Sequence, residues 1–158
     1  MGFFELNLDA SLVECTALGG GFLYDHNSKL VFAYFKKFGD VDVLVVEGLS
    51  LLHGLRLCKD KGYSLIHAQV DSQALVALVK SSHTAKWPLC NVLREIQFLL
   101  DILNVEVQHI VREANLAADR LAALRVGSDT LFTSPTFLPA SIRLVLALDS
   151  RSFPYVRS

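Results

Sequence analysis

The sequence lacks the features that mark secreted, zinc-binding and membrane-spanning proteins. Its 158 residues contain three cysteines, Cys15, Cys58 and Cys90, which lie far apart and are odd in number. They show no metal-ligand spacing, so we expect buried thiols in a reducing compartment inside the cell, nuclear or cytoplasmic. No apolar stretch reaches about 18 residues without a charge, and no basic segment followed by an apolar one opens the chain. We therefore expect neither a transmembrane span nor a signal peptide.

Charge is also scarce, and it is balanced. The formal net charge is −1, 20% of residues are charged and 52% are hydrophobic. A chain of this composition folds around a core and is not disordered. It also has no overall field that would attract nucleic acid or an anionic membrane. At this length we expect one domain, and we expect it to be a monomer.

The first half of the chain changes from strand patterns to a helix pattern. "FFELNLDAS" alternates apolar and polar residues and predicts a strand that ends near Asp9. "GGGFLYDHNSKLVFAYFKKFG" predicts a hairpin with "DHNSK" as its turn. Helical periodicity then runs from about Val43 to Lys61, and Gly62 predicts the end of that helix.

The second half alternates strands with helices. "SLIHAQVD" predicts a strand ending at Asp71, and two helices follow in "SQALVALVK" and "WPLCNVLREIQFLLDIL". "VEVQHIVRE" predicts another strand, in which the alternation of Val105, Val107 and His109 predicts a packed histidine. Asn115 is a suitable cap for a last helix that Gly127 would end.

This element order predicts an α/β fold. Three leading strands followed by alternating helices and strands favour a five-stranded mixed sheet, with an antiparallel three-strand meander, two parallel strands and flanking helices. Residues 1–126 would form this domain. Residues 127–158 would form a C-terminal tail with three prolines, Pro135, Pro139 and Pro154, which we expect to lie against the domain or to be loosely ordered.

Four acidic residues recur at comparable places in this order. Asp9 and Asp71 fall at predicted strand ends, and Glu47 and Asp119 fall within predicted helices. Each has an ordinary structural interpretation: a turn residue for Asp9, a solvated helix edge for Glu47, a helix cap for Asp71 and a first-turn acid for Asp119. Glu47 is the most informative, because it precedes apolar residues at helical spacing and a carboxylate on a buried face is costly unless paired, protonated or metal-bound.

Taken together, five stretches resemble the ribonuclease H type 1 domains, and most closely the plant reverse-transcriptase-like group related to retroelements. They are "LNLDAS", "GGGFLYDHNSKLVFAYFKKFG", "VEGLSLLHGLRLCKDKGY", "VDSQALVALV" and "VQHIVREANLAADRLA". The resemblance implies that Asp9, Glu47, Asp71 and Asp119 bind two Mg²⁺ ions, with Mn²⁺ as an alternative. It also implies that the chain is an endonuclease that hydrolyses the RNA strand of RNA–DNA hybrids.

Such chemistry requires a set of carboxylates. Two divalent ions about 3.5–4 Å apart activate water and stabilise the leaving oxygen of a phosphodiester. Magnesium prefers oxygen ligands, which carboxylates and the substrate phosphate supply together. Without metal the acids repel one another, so metal is expected to stabilise the fold.

Three departures from the family pattern support an alternative function. The link "VREAN" is too short for the histidine-bearing loop of active relatives. The segment "DVDVLVV" before Glu47 lacks the asparagines with which they contact ribose hydroxyls. No basic helix is evident in the sequence. The alternative is a catalytically weak or inactive ribonuclease H-like domain that binds nucleic acid or another partner. A proofreading-type exonuclease is disfavoured, because the first strand reads "DAS" and not Asp-x-Glu.

Overall fold

Helices cover a mixed β-sheet in this protein. The computed structural model describes residues 3–13, 16–81, 88–110 and 130–132, and the structural statements below concern these residues. In chain order the elements are β1 (Phe4–Val13), β2 (Thr16–Tyr24), β3 (Leu30–Gly39), α1 (Val43–Lys61), β4 (Ile66–Val70), α2 (Gln73–Lys80), α3 (Leu89–Leu103), β5 (Val105–His109) and β6 (Thr130–Phe132).

The sheet has the strand order β5-β4-β1-β2-β3-β6. β1, β2 and β3 form an antiparallel meander, and β4 and β5 run parallel to β1. This confirms the predicted five-stranded mixed sheet. β6 adds a sixth, three-residue strand antiparallel to β3, within the range assigned to the tail. So short a strand carries no recognisable alternation, and the domain boundary at residue 126 stays a prediction.

The first strand is longer than predicted. Its pairing with β4 stops at Leu8 and Val70, but its pairing with β2 continues as far as Val13 and Thr16. Asp9 therefore lies inside β1, and the prediction that the strand ends there was wrong. The apolar alternation fades where the parallel neighbour stops, whereas backbone hydrogen bonds to β2 carry the strand onward.

The predicted hairpin turn is confirmed between β2 and β3. The Asp25 carboxylate Oδ1 accepts hydrogen bonds from the backbone N–H groups of Asn27, at 2.8 Å, and Lys29, at 3.0 Å. Ser28 has a φ of 62°, in the left-handed region. An aspartate that binds the backbone of its own turn fixes that turn locally.

Helix α1 lies very close to the sheet. The fully buried Tyr34 of β3 donates a 2.8 Å hydrogen bond from its hydroxyl to the Ser50 carbonyl oxygen. A Cβ atom at Gly54 would lie only 2.5 Å from that hydroxyl oxygen and 3.1 Å from Leu6. Burial raises the pKa of Tyr34, so the phenol stays protonated and remains a donor. Gly54 is thus where the helix can approach the sheet without a clash.

Short connections at the helix ends set the edge of the sheet. Gly62 has a φ of 83° and its N–H bonds the Lys59 carbonyl at 3.2 Å, which confirms the predicted end of α1. Asn104, with a φ of 55°, ends α3 one residue before β5. The Asn104 carbonyl then accepts a 3.1 Å bond from the N–H of Ile66, and this places β5 beside β4.

Two of the cysteines lie among the described residues, and both are free thiols. Cys58 is buried, as expected, and Cys90 is half-buried. Burial raises the pKa of the Cys58 thiol to about 12, so it is protonated at neutral pH and unreactive. No described helix is long and apolar enough to cross a membrane.

Candidate active site

The strand register brings two of the predicted acids together along the backbone. The last parallel pair of β1 and β4 is Leu8 with Val70, so Asp9, which lies within β1, and Asp71, which comes just after β4, each follow that pair. Adjacent strands are about 4.8 Å apart, which sets the scale of the separation between their backbones. The structure describes the backbone position of Asp9. Asp9 and Asp71 each follow the last pair of the two strands, and the assignment of both as metal ligands stays a prediction.

Asp71 follows β4 directly and is half-buried. The cap of α2 is its neighbour Ser72, whose Oγ accepts a 3.2 Å hydrogen bond from the N–H of Leu75. The alternative interpretation of Asp71 as the helix cap is therefore wrong. A second constraint comes from β5, where the N–H of Ile110 bonds the Val70 carbonyl at 2.8 Å. The backbone on both sides of Asp71 is thus held in place.

The beginning of α1 lies over the same part of the sheet. Ser50 donates a 3.4 Å hydrogen bond from Oγ to the carbonyl of Gly20, the residue that pairs with Asp9. Val46 packs in a small buried cluster with Ala10, the residue after Asp9. Glu47 lies between these two contacts in the helix, so its turn is positioned over Asp9 and Ala10 of β1.

Glu47 also belongs to the helix turn that meets α2. A Cβ atom at the adjacent Gly48 would contact Leu75 of α2 at 3.9 Å. The residues one, two and three turns further along α1, Leu51, Leu55 and Cys58, are fully buried, whereas Glu47 is half-buried. This confirms the predicted face and places Glu47 where that face reaches solvent.

The fourth acid cannot be placed in this arrangement. Asp119 and its predicted companions Asn115, Leu121 and Ala122 lie outside the described residues. Among the residues that the structure describes, no group of three or more His, Cys, Asp or Glu side chains is arranged to bind a metal. The complete four-carboxylate set stays a prediction.

His109 differs from its prediction. It is the last residue of β5 and is exposed, whereas Val107 is buried. The alternation predicted a packed histidine, but His109 lies at the strand end, past the part of β5 that the core covers. Its register partner is Val70, the residue before Asp71, so this exposed imidazole belongs to the same end of the sheet as the candidate site.

Sequence analysis missed the residues that bring α1 onto the sheet. A Cβ atom at Gly19 would lie 2.8 Å from the Ser50 Oγ, and one at Gly21 would lie 2.6 Å from the Tyr34 hydroxyl oxygen. A side chain at Gly19 would separate α1 from β2, and one at Gly21 would displace the Tyr34 side chain that bonds α1. Three consecutive glycines inside a strand pattern were the available signal, since they indicate close approach of another element.

Comparison with known proteins agrees with the observed fold. A family model described as reverse transcriptase-like matches residues 7–124, most of the chain. The chain belongs to this family. The match spans all four predicted acids. It begins within β1 and ends after β5, outside the described residues. No curated protein matches the sequence at a significant level.

Solved structures show that the fold is ribonuclease H-like. The N-terminal RNase H domain of a Mycobacterium tuberculosis protein has a TM-score of 0.70 at 20% identity, covering 77% of this chain and 91% of that one. RNase H1 from the archaeon Halobacterium salinarum also has a TM-score of 0.70, at 21% identity, with coverages of 76% and 94%. LC11-RNase H1 from compost, solved in complex with an RNA/DNA hybrid, has a TM-score of 0.67 at 20% identity, with coverages of 75% and 92%.

Proposed function

We propose that this protein is a metal-dependent endonuclease that hydrolyses the RNA strand of RNA–DNA hybrids. Asp9, Glu47, Asp71 and Asp119 would be its metal-binding and catalytic carboxylates. The observation that supports the proposal is that Asp9 and Asp71 each follow the last parallel pair of β1 and β4, while the first turns of α1, which include Glu47, pack over β1. A similar fold has been solved with an RNA/DNA hybrid bound, which supports this class of substrate.

The donor chemistry of these residues fits Mg²⁺, with Mn²⁺ as an alternative ion. Carboxylate oxygens are the ligands that these hard cations prefer, and both Glu47 and Asp71 are partly open to solvent. When bound, two such ions would activate water and stabilise the leaving oxygen of the phosphodiester. Glu47, Asp71 and Asp9 would hold them, together with Asp119.

The protein's own contribution is to hold these carboxylates in place. Asp71 is fixed between a strand that is bonded to β5 and a helix that is capped by Ser72. Glu47 is fixed because Ser50 and Val46 anchor the helix on either side of it. A site built on strands and helices in this way keeps its geometry before substrate arrives.

One observation favours the alternative, a catalytically weak domain that binds nucleic acid or another partner. The segment "DVDVLVV" lies where active relatives are expected to read ribose hydroxyls. Val45 and Val46 in this segment are buried in the core. Buried valines do not present a hydrogen-bonding group to a 2′-hydroxyl, which is the group that distinguishes RNA from DNA. Binding without rapid RNA-specific cleavage is the outcome that this alternative predicts.

A cleavage assay tests the proposal. The purified chain is mixed with a labelled RNA–DNA hybrid in Mg²⁺ or Mn²⁺, beside a variant with all four acids changed to their amides. We expect cleavage of the RNA strand by the wild type, no cleavage by the variant, and complete loss with excess chelator. Cleavage that survives chelator, or no cleavage by folded protein with either metal, would refute the nuclease.

A binding measurement on the same samples separates the two candidate functions. Hybrid binding by fluorescence anisotropy, with no turnover in either metal, would favour the binding domain. Comparison with an all-DNA duplex of the same sequence then shows whether the protein recognises RNA at all, because only the hybrid carries 2′-hydroxyls.

A further inference from the structure

The β5 edge of the sheet leaves backbone hydrogen-bonding groups available among the described residues. β5 is the terminal strand of the sheet, with β4 on one side. The Asn104 carbonyl and the Ile110 N–H both bond β4, so the even-numbered residues between them direct their backbone groups inward. Val105, Val107 and His109 consequently direct their N–H and C=O groups away from β4. Such a row of donors and acceptors is a template for another strand.

A cleft runs beside this edge, where β5 meets the ends of two helices. It has a volume of about 430 Å³ and lies between the ends of α2 and α3 and the start of β5. Leu100 and Val105 contribute partly exposed apolar surface to it, beside the polar side chains of Lys80, Asp101 and Asn104. A strand added to β5 would direct alternate side chains toward this apolar surface, since residues opposite each other on neighbouring strands point to the same face.

The charges around the cleft and on the other face of β5 indicate which side chains the added strand would carry between its apolar residues. Among the residues that line the cleft, Asp101 lies near one cation, Lys80. Both α2 and α3 end here, and the C-terminal end of a helix carries partial negative charge. Glu106 alternates with Val105 and Val107 and so extends from the opposite face of β5. Side chains of the added strand on that face would meet an acidic neighbour.

We propose that the β5 edge and this cleft bind an extended segment of a partner protein as an additional strand. The segment would have apolar residues alternating with basic ones. Main-chain hydrogen bonds to Val105, Val107 and His109 would supply affinity, and the apolar part of the cleft at Leu100 and Val105, together with Glu106, would supply selectivity. The cleft lies at the start of β5, whereas Asp71 follows the register partner of the last residue of β5, and the proposal does not depend on nuclease activity.

Amide hydrogen exchange on the full chain tests this proposal. The probe is a short acetylated and amidated peptide in which valine alternates with arginine. In the free protein the amides of Glu106 and Gln108 should exchange slowly, since they bond β4, while those of Val105, Val107 and His109 exchange fast. Saturating peptide should slow the fast set by at least about tenfold. If the fast set is already protected in the free protein, another part of the chain covers the edge and the proposal is wrong.

Two matched controls test the chemistry. A peptide with proline at its central valine lacks a main-chain donor and should bind at least about tenfold more weakly. Glu106→Lys should weaken binding of the arginine peptide at least about fivefold, whereas Asp60→Lys, an equal charge change on exposed α1, should not. Equal binding by both peptides, equal effects of the two substitutions, or amide shifts confined to another surface would each overturn the proposal.

Discussion

Asp71 and Ser72 offer a sharp test, because these adjacent residues have separate roles in the proposal. Ser72 caps α2 through the bond from the N–H of Leu75, while Asp71, which follows the last pair of β1 and β4, is a proposed metal ligand. We predict that Ser72→Ala lowers stability and retains cleavage, and that Asp71→Asn retains stability and loses cleavage. The two variants serve as controls for each other, since they change neighbouring side chains at one strand end.

The magnitudes follow from the interactions removed. Loss of a serine cap costs about 1 kcal/mol of unfolding free energy, within a range of about 0.5–2 kcal/mol. For a chain of 158 residues, about 1 kcal/mol lowers the Tm by roughly 2–4 °C. Asp71→Asn leaves the Ser72 cap in place, and asparagine keeps nearly the same shape and can still accept a hydrogen bond, so the metal-free Tm should not fall. Loss of a metal-binding carboxylate should reduce the cleavage rate at least about a hundredfold.

Thermal melts without metal and hybrid cleavage rates in Mg²⁺ should be measured on both variants and the wild type. Rates are compared at a temperature where all three proteins are folded. The reasoning fails if Asp71→Asn cleaves at the wild-type rate, because the register would then have no catalytic consequence. It also fails if folded Ser72→Ala is inactive or melts like the wild type, because the cap would then not be its main contribution.

Further predictions concern the other acids, the exposed histidine and the packing of α1. Metal should raise the Tm of the wild type more than that of Glu47→Gln. Binding linkage adds about 2.7 kcal/mol to the free energy of unfolding at a hundredfold excess of metal over Kd. Equal Tm shifts would mean that Glu47 is not a ligand. Asp119→Asn should melt normally and lose at least about a hundredfold in rate, so a wild-type rate would remove Asp119 from the site. His109→Ala should change the free energy of unfolding by less than about 0.5 kcal/mol, because the side chain is exposed. Its cleavage rate should stay within about tenfold of the wild-type rate. An inactive folded variant would assign His109 a role in the chemistry. Gly54→Ala should cost about 1–3 kcal/mol in urea unfolding, because the new methyl group would contact the Tyr34 hydroxyl, and an unchanged midpoint would contradict that close approach.

Much of the fold could be predicted from local patterns. Alternation and turn residues predicted β2 and β3 with the Asp25 turn, because an aspartate that binds its own backbone needs no distant partner. Gly62 predicted the end of α1 for a similar reason, since it adopts a left-handed φ that few other residues tolerate. The order of strands and helices then left few topologies open, and the mixed sheet was among them.

Tertiary contacts decided what the patterns could not. β1 extends beyond Asp9 because β2 continues to pair with it, and His109 is exposed because the core ends before the last residue of β5. Neither fact is local, since each depends on a neighbour that is distant in sequence. The pattern of Glu47 likewise indicated a buried face but not what lay against it.

The sequence by itself predicted the element order as far as β5, the local turns and the candidate acids, because hydrophobic period and turn chemistry act over a few residues. Only the tertiary structure decided that β1 and β4 stop pairing just before Asp9 and Asp71, that Ser72 is the cap, and that α1 approaches β2 at Gly19. The physical reason is that strand register and helix approach depend on backbone hydrogen bonds and close packing between segments tens of residues apart.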